Sequence, residues 1–196
     1  MCRTIVIVIF LFFVSQLYSQ QPEKRYEVKS GTMTLTSEIF GKEQDMLMYF
    51  DDYGALEYSQ TTGEIMGFKV NNIQIKKDGY LYNIDVTNKV CKKTKIEENT
   101  PQYINFTNMT QKLIEDLHVE KKGTEMFLDR ECEKWEMDHT AMRMKGYFLV
   151  WKGISLKTDM EASGMVIRMK AKSIDLDTPL PDKIFEIPAD IKISEQ

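Results

Sequence analysis

The chain has 196 residues, of which 30 are acidic and 26 are Lys or Arg, so its formal net charge is −4. Nucleic-acid binding and adsorption to anionic membranes both need a surplus of positive charge, and this balance therefore favours neither class of partner. The length suits one domain with a substantial hydrophobic core.

The first residues have the layout of a secretory signal peptide. Arg3 precedes an apolar run at 5–14, and more polar residues follow it. A spanning helix needs about 20 apolar residues, so a retained signal anchor is the weaker alternative. Cys2 precedes the apolar run, where it cannot serve as the lipid-anchoring cysteine of a lipoprotein. We expect residues 1–20 to be removed and residues 21–196 to form a single exported domain, most simply a periplasmic one, with a secreted or surface location as the alternative.

Residues 26–96 have the pattern of consecutive antiparallel strands, because short apolar-rich segments alternate with turn residues. A bulge or bend at Gly31 would reconcile a change of strand parity there. Gly54 marks the turn of one hairpin. Asp78-Gly79 marks a second, since this pair readily adopts the positive φ angles of a tight turn.

The apolar period changes to that of a helix between Pro101 and His118. Thr100 offers a cap and Pro101 suits the first helical position. The residues on the apolar face of this predicted amphipathic helix are Phe106, Met109, Leu113, Ile114 and Leu117. Strand patterns resume from residue 124 to residue 176, and a short extended run follows at 184–193.

About ten strands and one helix predict a mainly β (α+β) fold, with a curved antiparallel sheet forming an incomplete barrel around the helix. One predicted strand is apolar on both faces, since Met46, Met48 and Phe50 alternate with Leu47 and Tyr49. A sheet that encloses a helix or an apolar cavity, with its outside partly covered, explains this pattern better than a flat two-layer domain.

Five strings of the sequence resemble a group of exported bacterial proteins: YEVKSG (26–31), YFDDYGALE (49–57), GTEMFLDRECEKW (123–135), VWKGISLK (150–157) and FEIPADIKI (185–193). That group has the half-barrel fold of the periplasmic lipoprotein carrier LolA. The resemblance implies an incomplete antiparallel barrel whose concave apolar surface takes acyl chains of lipoproteins or other lipids. No carrier arginine can be matched to Arg25, Arg143 or Arg168, so the resemblance assigns no site residue.

The chain contains 13 methionines, many at alternating positions. Thioether side chains are flexible and polarizable, so they suit surfaces that accept apolar ligands of variable shape. Filling of an ordinary core is the alternative. The residues expected to line a ligand cavity are Met46, Met48, Phe50, Phe68, Trp135, Met144, Phe148 and Trp151. A less favoured interpretation is Cu(I) capture by His139, Met142 and Met144, because strand alternation by itself produces Met-x-Met.

Cys91 and Cys132 remain after removal of the signal peptide, and an even pair in an oxidising compartment is typical of a disulfide. The strand pattern places each cysteine on the face opposite the apolar one, where two exposed free thiols would be unusual. We expect a disulfide, with two separate thiols as the open alternative.

No nucleophile elbow, phosphate loop or dinucleotide fingerprint occurs in the sequence. His118 and His139 have no third histidine to complete a zinc site, and Asp51-Asp52 are turn residues. We therefore expect no enzyme, no cofactor and no metal. The predicted function is binding of a lipid acyl chain or a lipoprotein. The alternative is a structural or interaction module with a self-filled core that meets another envelope protein.

Overall fold

The computed structural model describes residues 24–39, 41–65, 68–97, 100 and 103–195, so the predicted signal peptide lies outside the described part of the chain. The strands of the first half are β1 (Gly31–Ile39), β2 (Lys42–Asp51), β3 (Leu56–Ile65), β4 (Phe68–Lys77), β5 (Tyr80–Asp85) and β6 (Val90–Lys95). The helix α1 (Gln111–Leu117) follows. The strands of the second half are β7 (Val119–Phe127), β8 (Arg130–His139), β9 (Met144–Trp151), β10 (Ile154–Ala162), β11 (Met165–Asp175) and β12 (Lys192–Glu195).

The described strands form one curved, unclosed 12-stranded sheet in the order β12-β6-β5-β4-β3-β2-β1-β11-β10-β9-β8-β7. All neighbours are antiparallel except β12, which runs parallel to β6. The predicted fold class is confirmed, with twelve strands where about ten were expected. Within the described residues, no helix is long and apolar enough to span a membrane.

Both predicted hairpin turns are present. Asp78 and Gly79 join β4 to β5 with φ angles of 54° and 76°, and a 3₁₀ turn ending at Gly54 joins β2 to β3. The bulge or bend expected at Gly31 is not a bulge at that residue, because the register shift of β1 falls between Thr34 and Leu35. Gly31 instead permits close approach, since an added Cβ would lie 2.8 Å from the ring of Phe50.

The helix is shorter than the sequence predicts. It begins at Gln111, where the Thr110 side chain accepts a hydrogen bond from the backbone N–H of Leu113 at 3.3 Å. The preceding residues form a separate 3₁₀ turn capped by Asn105. Pro101, the expected first helical residue, lies outside the described residues. The start of the helix is therefore set by Thr110 and not by Thr100.

The sheet buries side chains on both faces. We call the face that carries α1 the inner face, where Leu113, Ile114 and Leu117 of the helix pack in a cluster with Trp135 and Phe148. The opposite, outer face is covered at the β3–β6 end by the C-terminal segment, residues 184–191. The members of this outer cluster are Tyr58, Ile75, Tyr82, Ile84 and Cys91, with Ile184, Phe185, Ile187 and Ile191 packed against them.

The disulfide expectation is wrong in this structure, because Cys91 and Cys132 are free thiols, each 0% exposed. Cys91 belongs to the outer cluster under the C-terminal segment, whereas Cys132 belongs to a different cluster with Leu149 and Leu156. Their strands, β6 and β8, lie near opposite ends of the sheet. The strand pattern predicted that the face carrying each cysteine is exposed. Tertiary packing covers that face in both cases. Desolvation by this burial raises the pKa of both thiols.

Candidate functional site

A cavity of about 360 Å³ lies on the inner face of the first half of the sheet. Its walls come from β1–β5, from β10 and β11, and from the segment 103–106, which crosses over the sheet. The apolar residues in its lining are Tyr26, Met33, Leu35, Met46, Met48, Leu81, Tyr103, Ile104, Phe106, Ile154 and Met169. We call it the small cavity.

One part of the small cavity is charged. Arg25 Nη1 and Lys76 Nζ each lie 3.6 Å from Glu57 Oε1, and all three side chains are less than one-fifth exposed. The Tyr26 hydroxyl donates a hydrogen bond to the same oxygen at 3.1 Å. Burial, and then the nearby Glu57 carboxylate, raise the pKa of the Tyr26 phenol far above its ordinary value. Tyr26 therefore stays neutral and acts as a donor in this cluster.

The segment preceding β1 holds these residues in place. The backbone N–H groups of Arg25 and Tyr26 both donate to the Tyr53 carbonyl at 2.9 Å, and Glu27 N donates to the Lys152 carbonyl at 3.0 Å. Tyr53 belongs to the β2–β3 turn and Lys152 to the β9–β10 turn. The segment thus bridges two hairpins that lie on either side of β1 and β11 in the sheet.

A second cavity, of about 680 Å³, lies on the inner face beside the first, and we call it the large cavity. Both cavities touch Arg25, Ile104, Phe106, Ser155 and Met169. The other lining residues of the large cavity are Met142, Met144, Phe148, Thr158, Met160, Ala162, Ser163, Met165 and Ile167. The two cavities therefore adjoin along a shared wall to which Phe106 belongs.

Methionine is the most frequent residue type in both linings. Of the 13 in the sequence, eight line one cavity or both: Met33, Met46, Met48, Met142, Met144, Met160, Met165 and Met169. Three apolar residues of the large cavity are open to solvent, since Met142 is 49% exposed, Met165 54% and Ile167 41%. The large cavity consequently has an apolar rim that a ligand can reach.

Four of the eight residues predicted to line a cavity lie in these linings. Met46 and Met48 line the small cavity, and Met144 and Phe148 line the large one. Phe68 begins β4, but its side chain lies outside the described part of the structure.

The other three predicted residues lie in packed surroundings. Phe50 is fully buried and packs edge-on against the Tyr26 ring, with the ring centres 5.1 Å apart. Trp135 is covered by Phe106, and their ring centres lie 6.0 Å apart. Trp151 is flanked by the cations of Arg130 and Lys152, 4.9 and 5.1 Å from its ring centre.

Sequence reasoning did not select the cavity residues of β1, β10 and β11, or Ile104 and Phe106. The alternation of Met165, Ile167 and Met169 along β11 is a signal that could have identified one wall, because residues two apart share a face of a strand. No comparable pattern marked Phe106 as a cavity residue, because its apolar spacing was attributed to the predicted helix.

The two histidines, predicted separately, are neighbours in the fold. The ring centres of His118 and His139 lie 4.5 Å apart with their planes inclined at 56°. Among the described residues, no group of three or more His, Cys, Asp and Glu side chains is placed to hold a metal ion.

Comparison with known proteins gives structural likeness only. No protein-family model and no curated protein sequence matches the chain. An uncharacterized conserved protein from Thermus thermophilus superposes with a TM-score of 0.59 at 11% identity, over 90% of this chain and 96% of that one. MucB superposes with a TM-score of 0.54 at 12% identity over 87% of this chain, and MucB of the Pseudomonas aeruginosa MucA/MucB complex with 0.55 at 11% over 89%.

The chain spans 61% of the length of these MucB chains. MucB has a LolA-like fold, so the expected resemblance to LolA-like half-barrel proteins is confirmed at the level of the fold. At these identities the likeness establishes fold and assigns no residue a role.

Proposed function

We propose that the protein is a non-enzymatic, exported, most simply periplasmic, carrier or receptor that binds the acyl chain of a lipid or lipoprotein on the inner face of its half-barrel. The observation that carries this proposal is the large cavity with its methionine-rich lining and solvent-exposed rim. Ligand pockets are typically concave, mostly apolar and about 300–1,000 Å³ in volume, and both cavities fall in that range.

The size of the large cavity agrees with a single acyl chain. At roughly 30 Å³ per water-sized group, a volume of about 680 Å³ has room for about 20 non-hydrogen atoms, the size of one long acyl chain. The adjoining small cavity would extend the path toward the charged cluster of Arg25, Glu57 and Lys76. An amphiphile with its tail among the methionines would then place a polar group near charged side chains.

Methionine suits this role because its thioether repacks around chains of different shape at little energetic cost. A core built for stability alone would use more branched and aromatic side chains, as the outer cluster with Tyr58, Ile75 and Ile84 does. The contrast between the two faces of the same sheet supports a ligand-binding role for the inner face.

The first experiment is native mass spectrometry of the protein purified from its own envelope, followed by organic extraction. We expect a co-purifying lipid that the extraction removes. Repeated recovery of a lipid-free mass, together with failure to bind a fluorescent fatty acid, would contradict the proposal.

A cavity-filling variant locates the site. Ala162 ends β10 and lines the large cavity, so Ala162→Trp places an indole inside it. We expect at least a tenfold loss of affinity for the fluorescent fatty acid. Ala189→Trp, in an exposed turn of the C-terminal segment, is the matched control and should bind as the unmodified protein does. Equal binding by both variants would place the ligand elsewhere.

The second candidate is an interaction module that docks on another envelope protein. Met165, Val166 and Ile167 are consecutive and all more than 40% exposed, so β11 presents apolar side chains on both of its faces. Val166 is absent from the lining of either cavity. If Val166→Glu abolishes a complex formed in the envelope while Ala162→Trp leaves it intact, this candidate is favoured over the lipid carrier.

A further inference from the structure

Two histidines that are 21 positions apart in sequence meet at one end of the second half of the sheet. His118 ends α1 in the left-handed conformation, with φ 51°. His139 ends β8 and caps the following 3₁₀ turn. The backbone N–H of Asp138 donates to the His118 carbonyl at 3.0 Å, which ties the end of the helix to the end of β8.

The spacing of the two rings suits a shared ion. Two imidazoles that each form a metal–nitrogen bond of about 2.0 Å hold their ring centres about 4.5 Å apart at a right angle and about 5 Å apart at a tetrahedral angle. The observed separation is 4.5 Å with inclined planes, so a small opening of the pair would accommodate an ion.

Two methionines lie next to His139 in the fold, one across the β8–β9 pair and one in the turn that follows His139. Met144 is the direct cross-strand partner of His139 in the β8–β9 pair, which brings their Cβ atoms to about 5 Å and their side chains to one face. The backbone N–H of Met142 donates to Nδ1 of His139 at 3.3 Å. Met142 is 49% exposed and His118 is also exposed, so an ion can enter from solvent.

We propose that His118, His139, Met142 and Met144 form a binding site for Cu(I). Imidazole nitrogen and thioether sulfur atoms form a ligand set that favours this soft ion over Mg²⁺ or Ca²⁺, which prefer oxygen. Zn²⁺ would need further imidazole, thiolate or carboxylate ligands, and the described residues bring no third such side chain to the pair. Strand alternation accounts for Met-x-Met in the sequence, but it does not account for the approach of His118.

Binding would change one visible contact. In the unbound protein Nδ1 of His139 accepts from Met142 N–H, so the neutral ring carries its proton on Nε2. Copper bound at Nδ1 displaces this hydrogen bond directly. Copper bound at Nε2 displaces it too, because the proton then moves to Nδ1. In either case the amide resonance of Met142 should shift on binding.

The two thiols are the competing Cu(I) ligands. Both are fully buried in clusters that do not contain the histidine pair, so the proposed site does not use them. A Cys91→Ala, Cys132→Ala background removes them from the measurement. Met142 and Met144 also line the large cavity, but the copper measurement uses no lipid, so its outcome is separate from that of the fatty-acid assay.

The experiment is anaerobic competition for Cu(I) against a chromophoric chelator, using the full mature chain. His118→Asn with His139→Asn, and Met142→Leu with Met144→Leu, should each lower the affinity at least tenfold. Met126→Leu, a 66%-exposed methionine on β7, is the control and should leave the affinity unchanged. Unchanged affinity in either double variant overturns the proposal.

Spectroscopy of the protein with an unaltered site identifies the copper ligands directly. X-ray absorption at the copper edge of the thiol-free protein should show nitrogen and sulfur ligands together, and the Met142 amide should shift on titration with Cu(I). Coordination by nitrogen alone, or Zn²⁺ bound as tightly as Cu(I), would indicate an imidazole-only site and contradict the assignment.

Discussion

Replacing Glu57 by Gln tests the charged cluster of the small cavity. Glu57 Oε1 lies 3.6 Å from both Arg25 Nη1 and Lys76 Nζ and accepts the Tyr26 hydroxyl at 3.1 Å. Glutamine keeps an oxygen that can accept from Tyr26, so the substitution removes mainly the negative charge. The two buried cations then lose the carboxylate that they share.

Breaking a buried ion pair from one side costs about 3–5 kcal/mol, and side-chain exposures of 9–18% reduce this to roughly 2–3 kcal/mol. For a chain of this size, that loss lowers the melting temperature by about 5–10 °C. Asp190→Asn is the matched control. It breaks an ion pair with Lys89 in which the two side chains are 61% and 64% exposed, and solvent screening leaves such a pair little effect on stability.

The assay is urea unfolding followed by tryptophan fluorescence for the two variants and for Glu57→Gln combined with Lys76→Met. The double variant removes one of the two repelling cations, so it should recover part of the lost stability. Equal losses of stability for Glu57→Gln and Asp190→Asn would show that burial does not strengthen the ion pairs of the charged cluster.

Three further predictions concern the scaffold. Gly146→Ala should destabilise the protein by about 3 kcal/mol in the same urea assay, because an added methyl would overlap the backbone of β10. Phe185→Ala should lower stability by roughly 2 kcal/mol and speed alkylation of Cys91 in the folded protein, since the C-terminal segment covers that thiol. Hydrogen bonds to the Asp175 carboxylate, of which the one from the Thr178 hydroxyl has the largest effect, lower the pKa of Asp175. These bonds therefore stabilise the folded protein at pH values above the carboxyl pKa of the unfolded chain. The stabilisation is lost as the pH falls through the pKa of Asp175 in the folded protein. Thr178→Val should raise the Asp175 titration midpoint measured by carboxyl NMR.

Local chemistry predicted the parts of the fold that depend on neighbouring residues alone. Asp78-Gly79 forms the expected hairpin because positive φ angles at both positions are intrinsic to that pair. The helix start was misplaced for a non-local reason. Asn105 and Thr107 side chains donate to the Lys24 carbonyl, at 3.3 and 2.7 Å, and this contact with the N-terminal segment holds residues 105–107 outside the helix.

The candidate site likewise depends partly on local pattern and partly on non-local contacts. Met46, Met48, Met144 and Phe148, selected from the sequence pattern, lie on the inner face, but strand alternation cannot distinguish a lining position from a covered one. Trp135 lies on that face too and is covered by Phe106, a residue 29 positions earlier.

The same limit applies to the cysteines. Each cysteine shares a strand face with lysines, and the sequence pattern therefore suggested that this face is exposed. Cys91 is buried by the C-terminal segment, which lies about 100 residues further along the chain and packs on the outer face. The residue pattern of β6 gives no indication of this contact.

We propose that an acyl chain occupies the methionine-lined cavities, and NMR of the methionine methyl groups would detect that chain at its contacts. On titration of the ¹³C-methyl-labelled protein with a long-chain fatty acid, the resonances of Met144, Met160, Met165 and Met169 should shift together and saturate. Met126, exposed on β7, should not respond. Shifts confined to Met126, or no shifts at fatty-acid concentrations just below micelle formation, would contradict binding of an acyl chain in these cavities.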